Sequence, residues 1–277
     1  MQALGDETRA ASATGSRVAP TVPTVPVDPF AELDVVGAPR SLVALGGTLD
    51  ADTLVAAYRA GVFPWPSDDP GLQRQARRLA RTRRVPVLPG TDGLVPWHSP
   101  EPRAVLLTDQ VVVRRSLRAR LRSCRWTSTV DAAFDAVVEG CADRAEGTWI
   151  TGRMREAYGA LHRRGVAHSV EVWAGEDLVG GLYGVLVGSV FCGESMFHRV
   201  TDASKVALVE LCSRLQDVGV RVVDVQEQTD HLTSLGQVLV HRADYLQVLA
   251  ALRDWPVALT TGRRPVARLA DPAAPTR

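Results

Sequence analysis

The sequence has little that would suit a disulfide-bonded, metal-binding or membrane protein. Its four cysteines show no Cys-x-x-Cys spacing and lie in apolar segments, which is typical of reduced thiols in a protein core. No metal site is predicted. No apolar run reaches the roughly 18 uninterrupted residues of a membrane helix, and the N-terminus lacks a basic region leading into an apolar run and a cleavage site. We therefore expect a cytoplasmic protein without membrane contact.

Net charge is also small. Lys and Arg number 32 against 31 Asp and Glu, a formal charge of +1. A uniform positive surface is thereby excluded, so a polyanion would have to bind at local basic clusters.

The 277 residues, 45% of them hydrophobic, are enough for about two domains. Residues 1–28, rich in Ala, Thr, Pro and Ser, are predicted to be a disordered tail. A small N-terminal domain is expected over 29–100, a larger domain over 101–258 and a loose C-terminal tail over 259–277.

Arginine is concentrated in two places. Within 67–95 we predict a basic, mobile insertion, for which a solvated surface and a nucleic-acid contact both remain open. Its arginines are Arg74, Arg77, Arg78, Arg81, Arg83 and Arg84. A second group lies on a helix predicted over 113–122, where i+3 and i+4 spacing forms one basic face. A solvated face is the usual state of such a helix, but no acidic residue pairs with this group in the sequence, so phosphate contact remains equally open. Its members are Arg114, Arg115, Arg118 and Arg122.

One carboxylate, Glu194, lies in the otherwise apolar strand predicted over 191–197, after a hairpin turn at Gly188-Ser189. A buried carboxylate needs a partner or a ligand, so it indicates a site. Strand alternation places Phe191 and Glu194 on opposite faces. We therefore predict a bulge at Cys192-Gly193 if both serve one pocket.

Asp224 and Gln226 end a second apolar strand. Alternation places them on the same face, with Cα atoms about 7 Å apart. They are a candidate catalytic pair, although a turn cap at Asp224 and a solvent-facing Gln226 would give the same pattern.

Other catalytic patterns are poor. Ser195 and His198 are not set in a Gly-x-Ser-x-Gly elbow. The glycines of 180–184 lack the strand-to-helix context of a phosphate loop.

Several ordered motifs between about Leu42 and Leu249 resemble the leucyl/phenylalanyl-tRNA–protein transferase family, whereas the tails and the Arg-rich insertion lie outside the resemblance. The motifs are Leu45-Gly46-Gly47, 58–65, Trp97-His98-Ser99-Pro100, 146–151, 168–173, 191–197, Asp224-x-Gln226, Asp230-His231 and Ser234-Leu235-Gly236.

The resemblance implies transfer of Leu or Phe, and Met more weakly, from aminoacyl-tRNA to the N-terminal Arg or Lys of a protein, which marks that protein for degradation. It implies an α/β (α+β) fold of two domains, the larger one similar to GNAT acyltransferases, with a mixed sheet flanked by helices. Aminoacyl-tRNA is then a substrate and no cofactor is expected. We expect a monomer.

The same resemblance assigns roles to residues. Asp224 would hold and polarise Gln226, whose side-chain oxygen would orient the attacking amine. Glu194 would bind a cation, either the aminoacyl ammonium or the incoming N-terminal residue. The aminoacyl side chain would be bound by Leu182, Phe191, Met196, Leu208, Leu211 and Leu215. The tRNA would be bound by Tyr58, Trp65, Trp149, Arg114, Arg115, Arg118 and Arg122, with the terminal adenine stacked on the two tryptophans.

Two other functions compete. An acetyl-CoA-dependent GNAT N-acetyltransferase would need a glycine-rich pyrophosphate loop, which the sequence lacks. A non-catalytic RNA-binding module needs only the arginine clusters, but it leaves Glu194, Asp224 and Gln226 unexplained.

Overall fold

Two mixed β-sheets and eight α-helices make up the computed structural model, which describes residues 28–67, 69–144 and 147–271. The predicted disordered tail thus falls almost wholly outside the described residues. The first part of the chain contains β1 (Leu42–Gly46), α1 (Ala51–Arg59), β2 (Phe63–Pro64), α2 (Pro70–Arg81), β3 (Val87–Leu88) and β4 (Pro96–His98). Its strands form a four-stranded sheet in the order β2-β4-β1-β3.

An eight-stranded sheet follows, in the order β11-β5-β10-β9-β8-β7-β6-β12. Its pairings are antiparallel except that of β9 with β10, which is parallel. The elements are β5 (Arg103–Leu107), α3 (Arg115–Ser123), β6 (Thr127–Val130), α4 (Phe134–Ala142), α5 (Gly152–Arg163), β7 (Ala167–Ala174), β8 (Asp177–Val187), β9 (Val190–His198), α6 (Ala203–Asp217), β10 (Val222–Gln226), α7 (Asp230–Thr233), β11 (Val238–Val240), α8 (Arg242–Leu252) and β12 (Arg264–Pro265).

Local sequence signals explain where the main elements begin and end. The Asp50 carboxylate caps α1 by accepting from the Thr53 amide at 2.9 Å. The Thr151 hydroxyl caps α5 in the same way. Gly188 adopts a positive φ of 56° in the two-residue turn that joins β8 to β9, a conformation that glycine enters at little cost.

Both sheets contribute to one hydrophobic core. Trp97 and Tyr58 of the first part belong to the same buried cluster as Phe134 and Tyr183 of the second. A second cluster lies on the other side of the large sheet, where α6 packs its apolar face. No gap in packing therefore marks position 100.

The expectation of a mobile insertion over 67–95 is wrong for residues 70–81 and 87–88, which have regular secondary structure. Residues 70–81 form helix α2, whose Leu79 is buried beside Val85 and Leu45. Val87 and Leu88 then pair with β1 as a parallel strand. The helix was not predicted from the sequence, because among its many arginines a single leucine marks the buried face.

The C-terminal segment is not loose either. β12 pairs with β6, and Val266, Leu269 and Ala270 are buried in the second cluster. Arg268 donates to both carboxylate oxygens of the buried Glu210, at 2.7 and 2.8 Å. The large domain therefore includes residues that we had placed in the tail.

Leu269→Ala tests this packing. Leu269 is 3% exposed, and truncation of a buried leucine costs about 2–5 kcal/mol in the free energy of unfolding. Leu72→Ala is the matched control, since Leu72 is 54% exposed and should change that free energy by about 0.5 kcal/mol or less. Urea denaturation measures both, and equal stabilities would contradict the buried position.

Candidate active site

A cleft of about 740 Å³ opens where β9 and β10 separate. Glu194 and Gln226 lie in its wall, and Trp65 and Trp149 also line it. Both apolar and polar residues line it, Arg144 and His231 among the latter, and a concave site where polar groups converge beside apolar ones is a usual form of substrate pocket.

Two β-bulges create the opening. The parallel pairing of β9 with β10 ends at Cys192 and Asp224. Next to it, Tyr183 and Gly184 pair with Ser195 and Gly193, which leaves Glu194 as the extra residue of β9. A matching irregularity in β10 lies between Asp224 and Gln226. A bulge bends its strand and ends regular pairing, so the two strands part at this point.

The predicted bulge is confirmed but its predicted position is wrong, because it lies at Glu194 and not at Cys192-Gly193. Cys192 and Phe197 both pack in the first buried cluster, whereas Phe191 and Met196 contact the second. One extra residue between Cys192 and Met196 accounts for this pattern, because it reverses the face of β9 on which the following side chains lie. Glu194 itself is only partly exposed, at the opening of the sheet.

Glu194 is held by two neutral donors. The Tyr158 hydroxyl donates to its Oε2 at 2.7 Å, and the Gln226 carboxamide nitrogen donates to its Oε1 at 2.8 Å. Burial nevertheless raises the pKa of Glu194 to about 7, against the opposing effect of these hydrogen bonds. The carboxylate is therefore poised to change charge near neutral pH.

Asp224 does not hold the Gln226 side chain as predicted. Its carboxylate accepts from Arg103 at 2.8 and 2.7 Å, from the Tyr245 hydroxyl at 2.8 Å and from the Gln226 backbone amide at 3.0 Å. Gln226 has a φ of 67°, in the left-handed region that costs a non-glycine residue energy. Asp224 thus holds the backbone from which the Gln226 carboxamide projects.

Sequence reading missed Arg103 and Tyr245. Arg103 begins the apolar strand β5 and is 1% exposed. A basic residue at the start of such a strand is the signal that would have indicated a buried ion pair.

Tyr58, predicted to bind tRNA, is buried in the structure. It is 2% exposed, and its hydroxyl lies 2.5 Å from that of Tyr158. Tyr58 therefore supports the residue that holds Glu194.

Four of the six predicted pocket residues line the cleft and two do not. Phe191 and Leu215 are 0% exposed and belong to the core behind it. The lining residues are Leu182, Met196, Leu208 and Leu211. The helix α6 contributes a smaller part of the wall than its apolar stripe suggested.

The predicted nucleic-acid contacts are partly accessible. Trp65 is 37% exposed, and Arg114, Arg115 and Arg122 are exposed on or beside α3. Arg122 forms an ion pair with Asp271 at 2.7 Å, so the expectation that no acidic residue pairs with this group is wrong. Both partners are exposed, and such a pair is weak enough to exchange for a phosphate.

Within the described part of the chain, no three His, Cys, Asp or Glu residues lie close enough to hold a metal ion. No helix there is long and apolar enough to cross a membrane.

A hydrogen-bonded carboxylate and carboxamide in an apolar cleft are the arrangement of an enzyme that positions a polar reacting group next to an apolar side chain. The comparisons with known proteins specify the class. The family profile described as leucyl/phenylalanyl-tRNA protein transferase matches residues 105–250, and the profile of that transferase's N-terminal domain matches 47–73. The chain belongs to this family of aminoacyltransferases.

Curated relatives agree with this assignment. A protein of Shewanella pealeana named leucyl/phenylalanyl-tRNA–protein transferase is 43% identical over 230 residues, covering 82% of this chain and 87% of its own length. One of the same name from Shewanella baltica is 42% identical, covering 80% and 86%.

The raised pKa of Glu194 predicts how stability depends on pH. Between the unfolded value near 4.5 and the folded value near 7, the folded state keeps a proton that the unfolded state releases. The free energy of unfolding should therefore fall as pH rises through this window.

Urea denaturation of the wild type and of Glu194→Gln from pH 4 to 8 measures the effect. The stability of the wild type relative to the variant should decrease with rising pH and level off above about 7. A constant difference would show that the Glu194 pKa is not raised.

Proposed function

We propose that the protein transfers Leu or Phe, and Met more weakly, from aminoacyl-tRNA to the N-terminal Arg or Lys of a protein, and so marks that protein for degradation. The observation that carries the proposal is the Glu194–Gln226 hydrogen bond beside the apolar lining of the cleft. The names of the curated relatives support the same reaction.

In this reaction the acceptor α-amine attacks the ester carbonyl carbon that links the amino acid to the terminal ribose. A peptide C–N bond forms, the C–O bond to the ribose breaks, and the ribose oxygen leaves with a proton while the amine loses one. Because the Gln226 nitrogen is committed to Glu194, the carboxamide oxygen is the end that can accept an N–H from the amine. A carboxamide is a weak base, so its contribution is mainly to orient the amine.

Glu194 binds the cation of one substrate. Each of its oxygens accepts one hydrogen bond from the protein and retains a lone pair for an ammonium or guanidinium. Charge-assisted bonds of this kind are stronger than bonds between neutral groups.

The aminoacyl side chain lies against Leu182, Met196, Leu208 and Leu211. An apolar pocket separates neighbouring apolar side chains by only about 1–3 kcal/mol. A set of flexible aliphatic residues therefore suits Leu, Phe and Met together.

The terminal adenine stacks on Trp65 and Trp149, which line the cleft. The acceptor stem follows the exposed arginines Arg114, Arg115 and Arg122 with half-buried Arg118 at their side. Phosphate contacts carry no sequence information, which suits an enzyme that accepts several tRNAs.

The larger domain, from 101 to at least 258, is similar to GNAT acyltransferases, and residues 29–100 form the small domain. The mixed sheet, the flanking helices and the bulged β9 support this proposal. The ester donor is already activated, so the protein works without a cofactor, as a cytoplasmic monomer.

The decisive experiment supplies labelled Phe or Leu on tRNA and a peptide that begins with Arg. Label should enter this peptide and not one that begins with Asp, because the acceptor side chain must be cationic. No transfer to the Arg peptide, or acetylation of it from acetyl-CoA, would refute the proposal.

Gln226→Ala should lower kcat by about 100-fold or more, since the attacking amine loses its orienting oxygen. Gln228→Ala is the matched control, because Gln228 is exposed and its side chain donates to the Thr233 hydroxyl and not to Glu194. Single-turnover transfer from charged tRNA measures both. Equal rates for the two variants would remove Gln226 from the mechanism.

A further inference from the structure

Helix α2 carries four arginines on one face. Arg74, Arg77, Arg78 and Arg81 follow the spacing i, i+3, i+4, i+7, which places them within about 100° of arc. Leu79 lies opposite this arc and anchors the helix to Val85 and Leu45. The packing therefore fixes which side of the helix faces solvent. We refer to these four side chains as the α2 stripe.

The α2 stripe has no internal charge partner. Residues 70–84 contain no Asp or Glu, and none of the ion pairs among the described residues involves an arginine of this segment. All four side chains are exposed. Two of the spacings, 74 to 78 and 77 to 81, bring like charges together at i, i+4, which destabilises an isolated helix. An anionic partner would relieve that repulsion.

The stripe lies outside both family matches. These end at residue 73 and resume at 105, so every arginine of the segment falls between them. Membership of the family thus says nothing about what this helix binds.

Its place in the chain points to the partner. α2 begins five residues after Trp65, which lines the cleft. Five residues span at most about 17 Å, and the helix extends about 18 Å further. The helix that carries the stripe therefore begins within about 17 Å of a residue that lines the cleft, a distance that the nucleotides next to the 3′ end of a bound RNA can span.

We propose that the α2 stripe binds the phosphate backbone of the tRNA beyond its terminal nucleotides, as a second basic surface separate from α3. This inference rests on the proposed function, since it takes the RNA to be the donor substrate. Guanidinium groups suit phosphate because they donate two parallel hydrogen bonds to its oxygens. Of the two leucines of α2, Leu79 is packed against the protein and Leu72 is exposed, so a single leucine remains to insert into a lipid surface.

The test compares two triple variants of the full chain. One carries Arg74→Gln, Arg78→Gln and Arg81→Gln. The control carries Arg40→Gln, Arg155→Gln and Arg163→Gln, which removes the same charge at exposed sites outside α2 and α3. Binding of uncharged tRNA is measured by fluorescence anisotropy across salt concentrations.

The stripe variant should bind tRNA about tenfold or more weakly than the control, and its slope of log K against log salt should be shallower by about 2 to 3. Equal affinity and slope in the two variants would overturn the proposal. The proposal would also be overturned if the stripe variant lost binding to anionic phospholipid vesicles, or to an acidic protein, while its tRNA binding was unchanged.

A donor without phosphate separates this proposal from the function on which it rests. Transfer of Phe from phenylalanyl-adenosine should be the same in wild type and stripe variant, whereas KM for charged tRNA should rise in the variant with kcat unchanged. An equal loss with both donors would indicate damage to the cleft and contradict a role in tRNA binding. If the wild type transfers from neither donor, the proposed function fails, while the binding comparison still reports on the stripe.

Discussion

The buried ion pair of Arg103 and Asp224 is the interaction on which the site depends. Both residues are almost fully buried, at 1% and 0% exposure, and a buried charge is tolerated only when its hydrogen-bonding groups are satisfied. Arg103 meets this condition with two bonds to Asp224 and two further bonds, to the Gly61 carbonyl and the Ser99 hydroxyl. Its guanidinium also lies over the rings of Phe63 and Tyr245. The Arg103 side chain thereby connects the small sheet, the large sheet and α8 to Asp224, which holds the backbone of Gln226.

Opening the sheet creates the cleft and also the unusual state of Glu194. If β9 and β10 paired regularly to their ends, they would leave no space for a substrate. The bulges open the sheet directly after the last paired residues, Cys192 and Asp224. The same opening leaves the Glu194 carboxylate only partly exposed to solvent, and this loss of solvation disfavours its charged form. The geometry of the pocket and the raised pKa therefore have one cause.

Local patterns in the sequence predicted elements well and interactions less well. The turn at Gly188 depends on neighbours in the chain, and the structure has it as predicted. The bulge was predicted on the premise that Phe191 and Glu194 serve one pocket; a bulge is present, but Phe191 lies in the core behind the cleft, so the premise is wrong. The partners of Asp224 could not be predicted, because Arg103 lies 121 residues away in sequence and no local pattern records such a pairing.

The burial of individual side chains was also not predictable from the sequence patterns. Tyr58 and Phe191 belong to motifs of the resemblance, but a motif does not distinguish a residue that touches substrate from one that supports such a residue. For the segment 67–95 the prediction underestimated packing. Its composition predicted a mobile insertion, whereas one buried leucine and a two-residue strand attach part of it to the protein. Long-range packing decided each of these cases.

If Glu194 binds the cation of a substrate, as proposed, its raised pKa and that binding are linked thermodynamically. A cation that binds the ionised carboxylate must also lower its pKa, because each equilibrium shifts the other by the same factor. Near pH 7 the empty site is therefore partly protonated, and arrival of a cation drives the remaining proton off. The proton and the cation therefore compete for the same carboxylate, so binding of a cation there should weaken as the pH falls below about 7.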